Sequence, residues 1–244
     1  MKKLIIILAL ANLQFSIFNH QLKAQLLSTV YNNSACGLNH VQASVYVTTR
    51  PNLFVMPQPG VGLPATVTIT GLPASCYTIE QAYVWSVFSY QTGSPNPPLF
   101  TITPPAGPTS GFTGVLAGQD GDKCWGETGT RTWRADVTSV ISGNGVYTIT
   151  VNTAGDWEVD GFTLFIIYRD NNATYEGHII IDDGAITVKT SDTPVGHTMT
   201  GFTACGNSTY SDAFQIVSDM QQGVPGSFTH ILNGEIGRAS CRER

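Results

Sequence analysis

From residue 44 to residue 190 the chain is a succession of short runs in which polar and apolar side chains alternate. That is the period-two signature of strands buried on one face. Residues 44–48 (SVYVT), 66–70 (TVTIT), 147–151 (YTITV) and 186–190 (ITVKT) follow the pattern. Three other runs are apolar almost throughout: residues 82–88 (AYVWSVF), 162–168 (FTLFIIY) and 178–181 (HIII). Loss of alternation means that both faces of a strand meet apolar material, so these runs are expected to be inner strands covered on both sides. No segment sustains the 3.6-residue period of an amphipathic helix.

Turn chemistry separates the runs at residues 143–145 (GNG), 170–172 (DNN) and 182–184 (DDG),. One helical turn is expected over residues 136–141, with Asp136 accepting hydrogen bonds at its start and Gly143 ending it. Pro95, Pro97, Pro98, Pro104, Pro105 and Pro108 make residues 93–108 a loop. Proline donates no ladder hydrogen bond, so that loop is expected to hold at most an edge strand, at residues 100–102. Strands spaced about ten residues apart, with so little helix, predict an all-β fold. The expected architecture is a jelly-roll-like β-sandwich with at most one short helix.

The two ends of the chain alter its composition. Lys2 and Lys3, an apolar run over residues 4–13 and the small residue Ala24 read as a secretory signal peptide over residues 1–24,. Asn12, Gln14 and Asn19 break that run short of the ~20 apolar residues that a membrane-spanning helix needs. The last ten residues, 235–244 (EIGRASCRER), resemble a translated short-read sequencing adapter. They are expected to be non-native, to pack against nothing and to form no strand. The folded unit is then a β-sandwich domain over residues 25–234, with an anchoring region expected beyond it. Of 12 basic and 17 acidic side chains in the chain, that segment holds 6 and 15, a net charge of −9. So acidic a surface repels phosphate backbones and anionic headgroups. Nucleic acid is therefore not an expected partner, and neither is membrane insertion of the mature domain.

With Cys241 assigned to the tail, the five cysteines become four: Cys36, Cys76, Cys124 and Cys205. Four cysteines in a secreted chain predict two disulfides among three connectivities, and their spacing matches no zinc motif. The pairing Cys36–Cys205 with Cys76–Cys124 is the working expectation, because the first bridge would tie the two ends together.

Catalytic signatures are missing from the local sequence. His40, His178, His197 and His230 form no H-x-H or H-E-x-x-H arrangement, and there is no G-x-S-x-G elbow or phosphate-cradling loop,. His178 opens an apolar strand, where a hydrogen-bonded structural histidine is the simpler reading. A carboxylate pair for glycoside hydrolysis, gathered from distant strands, would leave no local motif. The expectation is a protein that is not an enzyme. For calcium, Asp120, Asp122 and Glu127 cluster hard oxygen ligands in a glycine-rich stretch, and Asp182 with Asp183 is a second acidic pair,. The spacing does not match an EF-hand loop, and solvated turn aspartates explain it more simply. Tyr90, Trp125, Trp133, Trp157 and Tyr175 are the aromatics available to stack on a sugar. Tryptophans are mostly buried, and Trp157, flanked by Asp156 and Glu158 between two strands, is the one singled out as a ligand contact.

Residues 134–141 (RADVTSVI), 143–149 (GNGVYTI), 160–169 (DGFTLFIIYR) and 181–184 (IDDG) carry a family resemblance. With residues 79–85 upstream and 200–202 and 231–234 downstream, they resemble a β-sandwich module of large secreted or surface-anchored bacterial proteins, whose function is uncharacterised. The resemblance covers roughly residues 76–234, and it departs at Phe162 and Phe165. It implies location and architecture: a module of a multidomain adhesin-like or envelope protein, holding a surface glycan or protein ligand. The junction at residues 23–25 looks like signal peptides of the Bacteroidetes, which implies secretion and attachment to the cell surface through a C-terminal region. The other function class left open is a carbohydrate-binding β-sandwich of a polysaccharide-utilisation system. The residue-level reading needs no site: Asp136 caps a turn, Asn144 and Gly145 reverse the chain, Asp183 and Gly184 make a hairpin, and Arg134 pairs with a buried carboxylate.

Overall fold

The computed structural model describes residues 27–47, 62–90, 96–123, 126–152, 157–188, 192, 195–201, 216, 230–232 and 235–237. Among them, in chain order, are strands β1 (Leu27–Cys36), β2 (Leu38–Tyr46), β3 (Ala65–Ile69), β4 (Tyr77–Tyr90), β5 (Leu99–Thr103), β6 (Ser110–Thr113) and β7 (Val115–Gly121). There follow β8 (Gly129–Asp136), a 3₁₀ turn (Thr138–Val140), β9 (Gly145–Asn152), β10 (Trp157–Asp170), β11 (Glu176–Gly184), β12 (His230–Leu232) and β13 (Glu235–Gly237).

Two sheets make the sandwich. One has the order β2-β10-β4-β8-β7 and the other β3-β9-β5-β6. The antiparallel pairs nest, with β2 on β10, β3 on β9, β4 on β8 and β5 on β6. Such nesting is a long hairpin rolled over itself, the jelly-roll arrangement, with β7 added at one edge. The core between the sheets is built from Ala82, Val84, Phe88, Phe162, Leu164 and Ile166 on one side. Val67, Ile69, Phe100, Ile102, Tyr147 and Ile149 face them from the other. On β3, burial alternates strictly, leaving Thr66 and Thr68 to solvent as the sequence predicts,.

The two longest apolar runs behave differently. In β10, Phe162, Leu164, Ile166 and Tyr168 enter the main core, while Phe165 and Ile167 point the other way and are also buried. In β4 the same split sets Val84 inward and Trp85 outward. Their outer cover is the two-stranded ribbon β1-β11, which packs Val30, Tyr31, Ala35, Ile179 and Ile181 against Trp85, Phe165 and Ile167. The five-stranded sheet is thus the middle of three layers, which is why its central strands lost their alternation.

Glycine sets how closely the ribbon crosses the sheet. At one edge an added Cβ on Gly177 would run into the carbonyl of Leu38, and at the other a Cβ on Gly118 would meet the backbone of Gly184 and Ala185. Asp120 Oδ2 then accepts the Thr187 N–H (2.9 Å), which holds the chain along β7 after the ribbon ends.

Several expectations need correcting. Residues 182–184 do not form a hairpin turn: they end β11, with Gly184 opposite Leu27. The alternating run at 186–190 forms no strand over its described residues 186–188, which are held by a side chain instead of a ladder. Leu99–Thr103 is an inner strand, between β9 and β6, because the prolines flank the ladder without entering it,. Residues 179–181 are only partly buried and His178 is exposed, as one strand of an outer ribbon. Glu235–Gly237 pairs with His230–Leu232, so the last ten residues do contribute a strand, in a local hairpin separate from the other sheets. The leader expected at residues 1–24 lies outside the described residues.

Asp136 closes the passage from β8 into the 3₁₀ turn. Its Oδ1 accepts both the Thr138 N–H (3.0 Å) and the Thr138 hydroxyl (2.7 Å), and that hydroxyl oxygen accepts the Ala82 N–H (2.9 Å). Burial works to raise the Asp136 pKa. Hydrogen bonds from Thr138 and Gln81 and the Arg134 charge outweigh it and hold the carboxyl below its ordinary value. A depressed carboxyl contributes stability above the unfolded-state pKa, and that stability is lost as pH falls through the folded-state value. Asp136→Ala is expected to cost about 1 kcal/mol at neutral pH. In urea unfolding, the gap between wild type and variant should stay constant above about pH 4 and close below it. An unchanging gap down to pH 2 would contradict that assignment.

Candidate functional site

Along β11, neighbouring side chains leave on opposite faces. Asp183 points into the sheet, is only 7% exposed, and accepts at Oδ2 from the indole N–H of Trp85 (3.0 Å). The same oxygen pairs with Arg134 Nη1, whose guanidinium also stands 5.3 Å from the Tyr83 ring centroid. Arg134 therefore does pair with a buried carboxylate, as its place in the sequence suggests. Burial raises the Tyr83 phenol above its ordinary pKa, and the Arg134 charge offsets part of that rise. This cluster fixes the ribbon to β4 and β8.

Asp182 turns the other way. Its Oδ2 meets His197 Nε2 at 2.5 Å, joining the ribbon to the chain at residues 197–200. Register places Thr29 opposite Asp182 and Ser28 opposite Asp183. Between the ribbon and residues 197–200 lies an open pocket of about 370 Å³, lined by Leu27, Ser28, Thr29, Asp182, His197, Thr198 and Thr200. Pockets for small molecules run from about 300 to 1,000 Å³. The Asp182 side chain is only 6% exposed, and its Oδ1 is buried without a hydrogen-bond partner.

The acidic residues of the glycine-rich stretch accept backbone hydrogen bonds. Asp120 Oδ1 accepts the Gly121 N–H (2.7 Å) and Oδ2 the Thr187 N–H, while Asp122 Oδ2 accepts the Glu127 N–H (3.0 Å). These carboxylates close a strand end and a turn. Among the described residues, no three His, Cys, Asp or Glu side chains gather into a metal site.

Cys36 and Cys76 are exposed free thiols in this structure. Cys124 and Cys205 lie outside the described residues. Cys76 precedes β4, whereas Gly121 lies opposite Gly129, which in turn lies opposite Tyr90 at the far end of that 14-residue strand. Such a strand spans roughly 40 Å. Lys123, two residues beyond Gly121, therefore lies toward the far end of β4 from Cys76.

Trp157 is the first residue of β10, opposite Tyr90, and its side chain lies outside the described residues, as does Trp125. Trp85 and Trp133 are buried. His178 Nε2 bonds Asn32 Oδ1 (2.7 Å) across the ribbon, a structural role. The Asp182–His197 pair belongs to no sequence motif. The available signal was the adjacent pair Asp182 and Asp183 on a strand, which must face two environments.

No family model, curated protein or solved structure matches the chain.

Proposed function

We propose that this chain is a secreted or cell-surface module that holds a ligand without transforming it, as part of a larger adhesin-like or envelope protein. The pocket on the outside of the ribbon carries the reading: Ser28, Thr29, Thr198 and Thr200 beside the Asp182–His197 pair give it a polar lining suited to binding. The leader-like start, the acidic surplus and the family resemblance support the location. A rigid jelly roll suits the role, since a binding surface on strands loses little entropy when it is occupied.

The hydroxyl lining also favours a second reading, a carbohydrate-binding module of a polysaccharide-utilisation system. Retention of the full chain on whole cells and on soluble polysaccharides separates the two. Saturable retention on cells, with no new reducing ends or other product released, is the expected outcome. Retention on soluble polysaccharide alone would move the assignment to the second reading, and product release would overturn both.

A further inference from the structure

We infer that Asn172 is an acceptor for an N-linked glycan, displayed at the tip of the turn between β10 and β11. This rests on the secreted reading and adds a covalent modification to it. The acceptor motif is asparagine, any residue but proline, then serine or threonine. The chain holds it three times, beginning at Asn32, Asn172 and Asn207. Asn207 lies outside the described residues, and the structure separates the other two.

Residues 172–174 (NAT) follow directly on β10, where the chain makes a tight turn. The Ala173 N–H donates to the Asp170 carbonyl (3.2 Å), and Asp170 Oδ1 accepts the Asn172 N–H (2.9 Å),. The neighbours pin this turn to the sheet. Asn171 donates its backbone N–H to the Cys76 carbonyl (2.9 Å) and its side-chain amide to Thr78 Oγ1 (3.3 Å). On the other side the Cys36 thiol donates to the Ala173 carbonyl (3.3 Å). With Asn171 held against β4, Asn172 and Thr174 are the exposed residues of the motif. Transfer needs both of them: the Asn172 amide must reach the sugar, and the Thr174 hydroxyl completes the recognised pattern.

Asn32 carries the same motif in a different setting. It stands in the middle of β1, paired with Ile180, and Ser34 is paired with His178. Its Oδ1 bonds His178 Nε2 (2.7 Å), and its Nδ2 lies 2.7 Å from where a Cβ on Gly201 would stand. The nitrogen that would carry the sugar thus packs against the chain at Gly201, although the residue is partly open to solvent. A glycan is bulky and needs free surface. The turn meets that need and the strand does not. Glu176, just past the turn, pairs with Cys36, roughly 20 Å along the ribbon from Thr29 and Asp182,. A glycan on Asn172 therefore leaves the pocket open.

In the reaction, Asn172 Nδ2 forms a bond to C1 of an oligosaccharide carried on a polyprenyl pyrophosphate. The bond from C1 to the pyrophosphate oxygen breaks, polyprenyl pyrophosphate leaves, and the amide nitrogen gives up one proton. The test incubates the purified, folded full chain with a membrane-bound oligosaccharyltransferase and its lipid-linked oligosaccharide. Intact mass and glycopeptide mapping follow the product. Asn172 is expected to gain one glycan, about tenfold or more faster than Asn32, whose strand must open first. Asn172→Gln and Thr174→Ala should each abolish that gain, whereas Thr174→Ser should keep it. The turn is held by backbone groups and by Asp170 and Asn171, so all three variants should melt with the wild type. No transfer to Asn172 overturns the inference, as does modification of Asn32 at an equal or greater rate. Transfer to Asn172 that Thr174→Ala leaves unchanged also overturns it. In cells that hold the enzyme on the outer face of the membrane, a chain exported without the glycan overturns this inference alone. A chain modified when purified but never exported would remove the secreted reading and leave the acceptor site in place.

Discussion

Replacing Phe165 with alanine is expected to lower stability by about 3–5 kcal/mol, and to do so unevenly across the molecule. Phe165 lies on the outer face of β10, stacked on His40 at 4.8 Å between ring centroids and meeting Trp85 edge-on at 6.3 Å. Its loss opens a cavity under the ribbon, in the cluster of Leu38, Trp85, Phe165 and Ile167 against which Ile179, Ile181 and Val30 pack. Amide exchange should therefore accelerate most in β1 and β11. Phe162→Ala removes the same ring from the inter-sheet core and is the matched control. Its cost should be similar in size but spread through both sheets. Equal acceleration everywhere in Phe165→Ala would mean that the ribbon is not a separate layer.

The second large effect concerns charge. Asp183→Asn should cost about 3 kcal/mol, because it strands the mostly buried Arg134 guanidinium,. The magnitude is at the lower end for broken buried pairs, since the Arg134 side chain keeps 19% of its surface exposed. Replacing both partners with apolar residues, Arg134→Met with Asp183→Leu, should recover most of the loss, since no charge is then left unpaired. If the double variant is no better than the single one, the carboxylate is working through Trp85 and not through Arg134. Chemical denaturation of the three proteins decides between these outcomes.

The strand content was legible wherever one face met solvent and the other the core. Residues 66–70 and 147–151 alternate because Thr faces water while Val, Ile and Tyr fill the sandwich. The covered strands were legible too: residues 82–88 and 162–168 read as buried on both sides, and they are. What covers them was not. Leu27–Cys36 is rich in Asn and Ser, and its register is set by β11, so its own sequence carries no period. Gly129–Asp136 does alternate, but Arg131 occupies a core-facing position over the Tyr90 ring, at 3.6 Å, and hides the pattern. Val115–Gly121 carries no alternation of its own, and its Gly118 stands where the ribbon crosses it.

The same reasoning explains the site. Asp120 and Asp122, in the glycine-rich stretch that the sequence marks out, each accept a backbone N–H from a nearby residue. Asp182 and His197 stand 15 residues apart in sequence and meet only in the folded chain. No local spacing encodes such a meeting.

Everything proposed for the pocket depends on the ribbon lying on the sheet in solution. Nuclear Overhauser contacts between the methyl groups of Ile179 and Ile181 and the rings of Trp85 and Phe165 report on that directly. Strong contacts are expected, with a Trp85 indole N–H that exchanges slowly behind its bond to Asp183. Absence of those contacts, with the Trp85 N–H exchanging as a solvated indole does, would contradict the covered sheet and remove the wall on which the pocket is built.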